Sequence, residues 1–266
     1  MRPIALTIAG SDPSGGAGLQ ADLKTFHQFG VYGEAVVTLI TVQNTVRVSH
    51  VEILSADLVG RQLDAVLEDI PPAAVKTGAL GSAAVIGTVA ARAFPGPLVV
   101  DPVMISKHGA PLMDESARHA LRNLLLPKTF LVTPNLHEAA DLAGIEVTSP
   151  EEMRDAARRI AALGPQAVLI KGGHLTGDAL DILYYNGEFT EFLSPRTNTV
   201  HTHGTGCTYS AAITACLANG DSLQHAVTTA KIFITAAIRT SPQFGAGSGP
   251  VNHFASLSTL RDEPQA

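Results

Sequence analysis

The stretch "IALTIAGSDPSGGAGLQADLKTF" (residues 4–26) contains the unit from which the chain is built. Its apolar run "IALTIA" (4–9) predicts a strand, the glycine-rich segment after it predicts a turn, and residues 17–29 have the spacing of a helix. Because the run shows no polar alternation, it is typical of a strand that is buried on both faces. The stretch therefore predicts a parallel sheet covered by helices.

The same strand–helix unit recurs along the chain. Further apolar runs are "AVVTLIT" (35–41), "AAVKT" (73–77), "PLVVD" (97–101), "FLVT" (130–133) and "AVLIK" (167–171). Further helices are predicted over 57–69, 83–93, 115–125, 137–143, 150–163, 206–218 and 222–240. Asn186-Gly187 inside "LDILYYNGEFTEF" (180–192) indicates an antiparallel hairpin at the sheet edge. We expect one α/β domain over residues 1–266, with a loose tail after about residue 255.

Composition narrows the class of ligand. The 266 residues carry a net charge of −6 with 18 Lys and Arg and no dense basic run, which favours a small-molecule substrate and neither nucleic acid nor membrane as partner. No apolar stretch reaches the roughly 20 residues of a membrane span, and "MRPIALTIAG" lacks the features of a signal peptide, so a cytoplasmic location is expected. Cys207 and Cys216 would lie about 13 Å apart on one helix, too far for a disulfide.

Loops at the carboxyl ends of parallel strands form the ligand site in such folds. In the first of these loops, "GAGLQA" (16–21) satisfies the loose dinucleotide pattern, but no acidic residue follows about 20 positions later. A tight turn without a ligand, a ligand contact and a dinucleotide site are all compatible with this loop. Gln43 ends the next strand, where its amide either caps the strand or reads the edge of an aminopyrimidine.

Charged residues follow three other strands. Asp101 and Glu138 are candidates for holding Mg²⁺, whereas the alternative has Asp101 capping a turn and Glu138 complementing a helix dipole. Lys171 precedes two glycines at a strand end and is suited to a phosphate. The Walker A pattern is absent from the sequence, so a nucleotide site would be of another type.

The segment "HGTGCT" (203–208) runs from a glycine-rich turn into a helix. The N–H groups of Gly204, Thr205 and Gly206 then point at one spot with the positive end of the helix dipole, which predicts an anion hole. At the same place, Cys207 is expected to have a lowered pKa and a reactive thiolate. The alternative is a small residue that fills a tight turn.

These segments together resemble the hydroxymethylpyrimidine/phosphomethylpyrimidine kinases of thiamine biosynthesis. The resemblance covers nearly the whole chain and rests on "TIAGSDPSGGAGLQADLKTF", "QNT", "KTGAL", "DPVM", "TPNLHEA", "IKGGH", "HGTGCT" and "GPVNHF". It implies a ribokinase-like fold, a three-layer α/β/α sandwich. It also implies transfer of the ATP γ-phosphoryl group to 4-amino-5-hydroxymethyl-2-methylpyrimidine and then to its monophosphate, with Mg²⁺ as cofactor and a homodimer as the assembly.

The resemblance also implies roles for single residues. Lys171 meets the ATP phosphates, Asp101 and Glu138 organise Mg²⁺, and the N–H groups of residues 204–207 take the charge of the transferred phosphoryl group. Cys207 stands where most ribokinase-like sugar kinases have an aspartate base. The residues implied in pyrimidine binding are Gly10, Asp22, Gln43, Ala79, Leu80 and Val103.

The chain departs from the family pattern in several places. Val200 and His201 replace Lys and Asn, His108 replaces a smaller residue in the loop "SKHG", and many members have Met where Ala79 or Leu80 stands. The alternatives are a pyridoxal kinase of the same fold, an NAD-dependent oxidoreductase based on "GAGLQA", and a binding protein without catalysis.

Overall fold

A nine-stranded sheet with helices on both faces forms the body of the molecule. The computed structural model describes residues 2–105, 109, 112–173 and 177–256. The strand order is β3-β2-β1-β4-β5-β6-β7-β8-β9. The strands are β1 (Ile4–Ser11), β2 (Tyr32–Gln43), β3 (Val48–Ile53), β4 (Ala74–Thr77), β5 (Leu98–Val100), β6 (Leu131–Val132), β7 (Ala167–Lys171), β8 (Ala179–Tyr185) and β9 (Glu188–Ser194).

Parallel pairing joins β2, β1, β4, β5, β6 and β7, so the six apolar runs predicted as strands form one parallel block. The predicted hairpin is confirmed as β8 and β9, which pair antiparallel around Asn186 and Gly187, both with positive φ. In addition, β3 pairs antiparallel with β2. The sequence analysis missed β3, because its exposed polar residues, such as His50 and Glu52, interrupt any apolar run.

The helices occur where they were expected, with shifts at their ends. They are α1 (Gly18–Gln28), α2 (Ala56–Asp69), α3 (Ala83–Ala90), α4 (Glu115–Ala120), α5 (Leu136–Ala143), α6 (Pro150–Ala161), α7 (Thr205–Ala218) and α8 (Leu223–Arg239). α3 ends earlier than predicted, at Ala90, where Arg92 donates a hydrogen bond to the Thr88 carbonyl and pairs with Asp64 of α2. The helix predicted over 115–125 changes after α4 into a π-helical turn, Leu121–Leu125.

Alternate residues of each buried strand pack into different layers. In β7, Val168 and Ile170 join the core beneath α2 to α6, whereas Ala167 and Leu169 join the core beneath α7 and α8. This confirms the predicted three-layer α/β/α architecture. None of the helices within the described residues has both the length and the apolar character that a membrane span requires. The division into domains stays a prediction.

Candidate active site

The parallel strands end at one edge of the sheet, and most of the predicted site residues lie there. Asp101 follows β5, Lys171 ends β7, and Gln43 ends β2. Glu138 stands in the first turn of α5, whose N-cap Asn135 bridges to Lys171. The topology thus brings together four loops that are far apart in the sequence, as expected for a site at the carboxyl edge of a parallel sheet.

The N-terminus of α7 lies where the sequence predicted an anion hole, and its binding of an anion stays a prediction. Gly204 is its N-cap residue with φ +78°, and the first helical bond runs from the Thr208 N–H to the Gly204 carbonyl. A side chain at Gly204 would collide with the carbonyl of Gly16 in the glycine-rich loop, so the two loops are in direct backbone contact. The N–H of Thr205 donates to Thr202, which leaves those of Gly206 and Cys207 as the ones best placed for an anion.

Lys171 and Asp101 lie beside this helix terminus. The Lys171 Nζ is 3.0 Å from Asp101 Oδ1, and Asp101 Oδ2 accepts a hydrogen bond of 3.2 Å from Ser210 of α7. A Cβ atom added to Gly206 would lie 3.4 Å from the Lys171 Nζ and 3.6 Å from Asp101 Oδ2. Glycine at position 206 therefore keeps the space between the helix terminus and the ammonium group open, at the size of a small group such as a phosphoryl oxygen.

The charges around Lys171 favour its ammonium form. Burial alone would lower the pKa of Lys171, but the nearby carboxylates of Asp101 and Glu138 outweigh this effect and raise it above its ordinary value. Lys171 is thus a permanent cation beside the anion hole. Its role in phosphate binding stays a prediction.

Glu138 caps the N-terminus of its own helix. Its carboxylate accepts the Asn135 N–H at 2.8 Å and completes a capping box, so the helix-terminus interpretation is correct for this residue. Burial raises its pKa to about 7, with the Lys171 charge lowering it and the Asp101 charge raising it. The raised pKa therefore reflects chiefly the loss of solvent around the carboxylate, and the larger of the two charge effects, that of Lys171, favours its ionised form.

A metal ion near Asp101 and Glu138 would need further ligands from a bound nucleotide, because the described part of the protein supplies only a few. Within the described residues, His, Cys, Asp and Glu form no group of three or more that could hold a metal ion. Asp101 and Glu138 supply the hard oxygen donors that Mg²⁺ prefers, and Mg²⁺ commonly binds through one or two carboxylates, waters and phosphates. The residues therefore fit Mg²⁺ that arrives with ATP.

The prediction of a lowered pKa at Cys207 is wrong. Burial raises the pKa of the thiol to about 12, and the negative charges of Asp22 and Asp101 add to it, whereas Lys76 and a hydrogen bond from the Gly18 backbone only partly compensate. The helix terminus is present as expected, but desolvation is the stronger effect. Cys207 is therefore a neutral thiol at neutral pH.

A buried ion pair lies under the site. Asp22 of α1 and Lys76 of β4 are fully buried, with the Lys76 Nζ 2.9 Å from Asp22 Oδ2, which also accepts a 2.6 Å bond from Thr7. Burial lowers the pKa of Lys76, but Asp22 and the other anionic groups nearby outweigh it, so Lys76 stays charged. The sequence analysis missed Lys76, although a lysine inside the apolar run "AAVKT" was the signal. The predicted contact of Asp22 with the pyrimidine stays a prediction.

The sequence analysis also missed Asp12 and His203. His203 is buried next to Gly204, and its Nε2 is 2.7 Å from Asp12 Oδ2 and 3.1 Å from the Gln43 Nε2. The glycine-rich loop, the end of β2 and the start of α7 therefore meet at one histidine. The only local signal was the position of His203 just before the glycine turn.

The remaining predicted residues lie around the same edge. Ala79 is half-buried and its carbonyl accepts a 2.6 Å bond from Thr38, and Val103 is half-buried after Asp101. Gly10 is buried at the end of β1, and Leu80 is 1% exposed and belongs to the core beneath the site.

The structure describes two of the three residues named above as substitutions in the family pattern, Val200 and His201. The His201 Nδ1 accepts the Gly249 N–H at 3.1 Å, and Val200 is exposed. His108 lies outside the described residues.

A family model described as phosphomethylpyrimidine kinase matches residues 12–252, which include the glycine-rich loop and the α7 terminus. The chain belongs to the phosphomethylpyrimidine kinase family. The resemblance inferred from the motifs is thus confirmed, and with it the kinase class.

Curated relatives of this kinase carry matching names. It is 44% identical to the hydroxymethylpyrimidine/phosphomethylpyrimidine kinase of Bacillus subtilis, covering 97% of this chain and 98% of that protein. It is 49% identical over 98% of its length to the thiamine biosynthesis bifunctional protein ThiED of Geobacter sulfurreducens, but spans only 54% of that longer protein.

The solved structures similar to this kinase include a pyridoxal kinase and a phosphomethylpyrimidine kinase. The pyridoxal kinase from Staphylococcus aureus in complex with AMP-PCP and pyridoxal has a TM-score of 0.87 and 39% identity, covering 96% of this chain and 95% of that one. The phosphomethylpyrimidine kinase from Clostridium difficile has a TM-score of 0.79 and 44% identity, covering 89% and 100%. Both structures share the fold of this kinase.

Proposed function

We propose that the chain uses ATP to phosphorylate 4-amino-5-hydroxymethyl-2-methylpyrimidine, and then phosphorylates the monophosphate to the diphosphate. Family membership and the names of the relatives support this proposal. The observation that carries it is the position of His203, which contacts the Gln43 amide and directly precedes the anion hole at Gly204. A group that reads a pyrimidine edge is thereby held beside a group that binds a phosphoryl oxygen.

The first transfer forms a bond between the hydroxymethyl oxygen and the γ-phosphorus and breaks the bond from that phosphorus to the leaving ADP, and the hydroxyl proton passes to solvent. The N–H groups of Gly206 and Cys207 are placed to bind the charge on the transferred group, and Lys171 to bind the ATP phosphates. Asp101 and Glu138 would hold Mg²⁺ together with ATP, and the bound ion supplies neutralisation of the phosphate charge. Because catalysis of this kind depends chiefly on position and charge, a neutral Cys207 is compatible with it.

The experiment is to incubate the purified protein with ATP, Mg²⁺ and the hydroxymethylpyrimidine, and to resolve mono- and diphosphate products by chromatography. We expect monophosphate to appear first and diphosphate to follow, with neither formed when Mg²⁺ is chelated. The monophosphate as sole substrate should give the diphosphate directly. Hydrolysis of ATP without either phosphorylated pyrimidine would contradict the proposal.

Pyridoxal kinase is the second candidate function. The observation in its favour is that pyridoxal kinase structures superpose over 95% of their own length with 39% identity. Pyridoxal also carries a hydroxymethyl group on an aza-aromatic ring, so the same transfer chemistry would apply. An arm of the assay with pyridoxal in place of the pyrimidine decides between one substrate and two.

The homodimer stays a proposal that rests on the family resemblance. Sedimentation velocity at several protein concentrations tests it, and a monomer at all of them would contradict it.

A further inference from the structure

The Gln43 amide is held by a buried pair of residues. Asp12 is 3% exposed and His203 4% exposed, and the two side chains are 2.7 Å apart at Oδ2 and Nε2. The same Nε2 lies 3.1 Å from the terminal nitrogen of the half-buried Gln43. One imidazole nitrogen therefore contacts a carboxylate on one side and a primary amide on the other.

The surroundings of Asp12 determine where the imidazole proton lies. Its Oδ2 also accepts the N–H groups of Gly16 at 3.2 Å and Ala17 at 2.9 Å, and its Oδ1 accepts the N–H and hydroxyl of Ser14. Burial raises the pKa of Asp12, but the hydrogen bonds from His203 and Ser14 outweigh burial and bring it below its ordinary value. Asp12 is thus an ionised carboxylate that only accepts hydrogen bonds, and His203 Nε2 must carry the proton.

This proton decides which end of the amide can face the histidine. The amide nitrogen of Gln43 is a donor only, so it cannot accept the Nε2–H of His203, whereas the amide oxygen can. A half-turn about the last side-chain bond exchanges the two amide atoms with little change in shape. The stable arrangement has the oxygen beside His203, where it shares the proton with Asp12, and the NH₂ group on the other side.

We propose that Asp12 and His203 lock the Gln43 amide in one orientation and thereby make the enzyme select 4-aminopyrimidines over 4-oxopyrimidines. An aminopyrimidine presents a ring-nitrogen acceptor beside an amino donor, and a 4-oxopyrimidine presents an N–H donor beside a carbonyl acceptor. A freely rotating amide can match either edge. A locked amide matches the aminopyrimidine, but it places its NH₂ group against the ring N–H of the 4-oxopyrimidine, so that two donors face each other. The proposal rests on the proposed function. Because the hydroxymethyl group must face the anion hole to be phosphorylated, the ring has one orientation and presents the same edge to Gln43.

The test compares two substrates in the same assay, the 4-amino compound and 5-hydroxymethyl-2-methylpyrimidin-4-one. The quantity measured is the ratio of kcat/KM for the 4-amino compound to kcat/KM for the 4-oxo compound. A bidentate contact corresponds to roughly 10- to 100-fold discrimination, so this ratio should be larger in the wild type than in Gln43→Ala by about that factor. In His203→Leu, which removes the donor, the ratio should fall to within about threefold of the Gln43→Ala value. Damage to the neighbouring anion hole would slow both substrates equally and leave the ratio unchanged.

Two further variants separate the lock from a general structural role. His203→Gln keeps an N–H donor for Asp12 and for the Gln43 oxygen, so we expect it to restore the ratio. His201→Gln, a matched control two residues away whose side chain contacts Gly249, should keep the wild-type ratio. If His203→Leu does not fold, as judged by circular dichroism, Asp12→Asn takes its place, because it removes the charge that holds the proton on Nε2.

The outcomes are distinct. A ratio in His203→Leu or Asp12→Asn equal to that of wild type would overturn the inference while the kinase activity stands. A wild-type ratio equal to that of Gln43→Ala would also overturn it. Failure of the wild-type enzyme to phosphorylate the 4-amino compound would instead refute the proposed function.

Discussion

Replacing Glu34 by glutamine is expected to raise the free energy of unfolding at pH 8 and to leave it nearly unchanged at pH 4. Glu34 lies in β2, where it pairs in register with Leu6 of β1, and it is only 8% exposed. Its Oε2 is buried without a hydrogen-bond partner among the described residues. An ionised carboxylate at this place is therefore poorly solvated, whereas a neutral amide of the same shape carries no such charge.

The magnitude follows from the shift in pKa. Burial, with a smaller effect of the Asp69 charge, raises the pKa of Glu34 from 4.5 to about 7. At about 1.4 kcal/mol per unit, ionisation costs the folded state about 3 kcal/mol. The pKa of Glu34 is higher in the folded protein than in the unfolded chain. The contribution of protonated Glu34 to the free energy of unfolding is therefore fully present below pH 4.5 and is lost as the pH rises through 7. Glu34→Gln should thus gain about 2 to 4 kcal/mol at pH 8.

Urea unfolding of both proteins at pH 4, 6 and 8, followed by circular dichroism, measures this difference. The exposed Glu52 of β3 is the matched control, and Glu52→Gln should change the free energy of unfolding by less than about 0.5 kcal/mol at each pH. An equal gain for Glu34→Gln at pH 4 and pH 8 would refute the reasoning, because it would show that the effect does not arise from ionisation.

Three further predictions concern the site. Gly206→Ala should reduce kcat/KM at least about tenfold, because the added Cβ fills the space beside Lys171, and it should not lower the melting temperature, because alanine favours the helix. Unchanged activity would mean that this space is unused. Glu138→Gln should raise the Mg²⁺ concentration needed for half-maximal activity but keep the helix cap, since glutamine also completes a capping box. A metal titration with thermal unfolding as control tests this, and a large loss of stability with the same Mg²⁺ requirement would contradict it. Cys207→Ala should keep the wild-type shape of the pH–rate profile between pH 6 and 9 because the thiol does not titrate there, and loss of an alkaline limb would contradict this.

Most of the strand and helix positions could be predicted because their signals are local. An apolar run such as "AVLIK" is typical of a buried strand wherever it occurs, and Asn186-Gly187 forms the hairpin turn because both residues adopt positive φ readily. The missed strand β3 has no such signal. Its six residues gain their strand conformation from hydrogen bonds to the edge of β2, which a reading of residues 48–53 alone does not show.

The candidate site likewise contains residues with a local sequence signal and contacts that only folding creates. Gly204, Gly206 and Lys171 could be found because a glycine turn before a helix and a cation at a strand end keep their chemistry in any surroundings. The ion pair between Asp22 and Lys76 joins residues 54 positions apart, so it exists only once α1 packs on β1 and β4.

The sequence by itself therefore determined the three-layer fold, the edge that carries the site and the family of kinases. The tertiary structure alone decided which charges meet and how deeply they are buried. It paired Asp12 with His203 across 191 positions and gave Cys207 a raised pKa in place of a lowered one. The physical reason is that desolvation and charge pairing depend on the three-dimensional surroundings of a group, whereas helix and strand patterns depend on its neighbours in the chain.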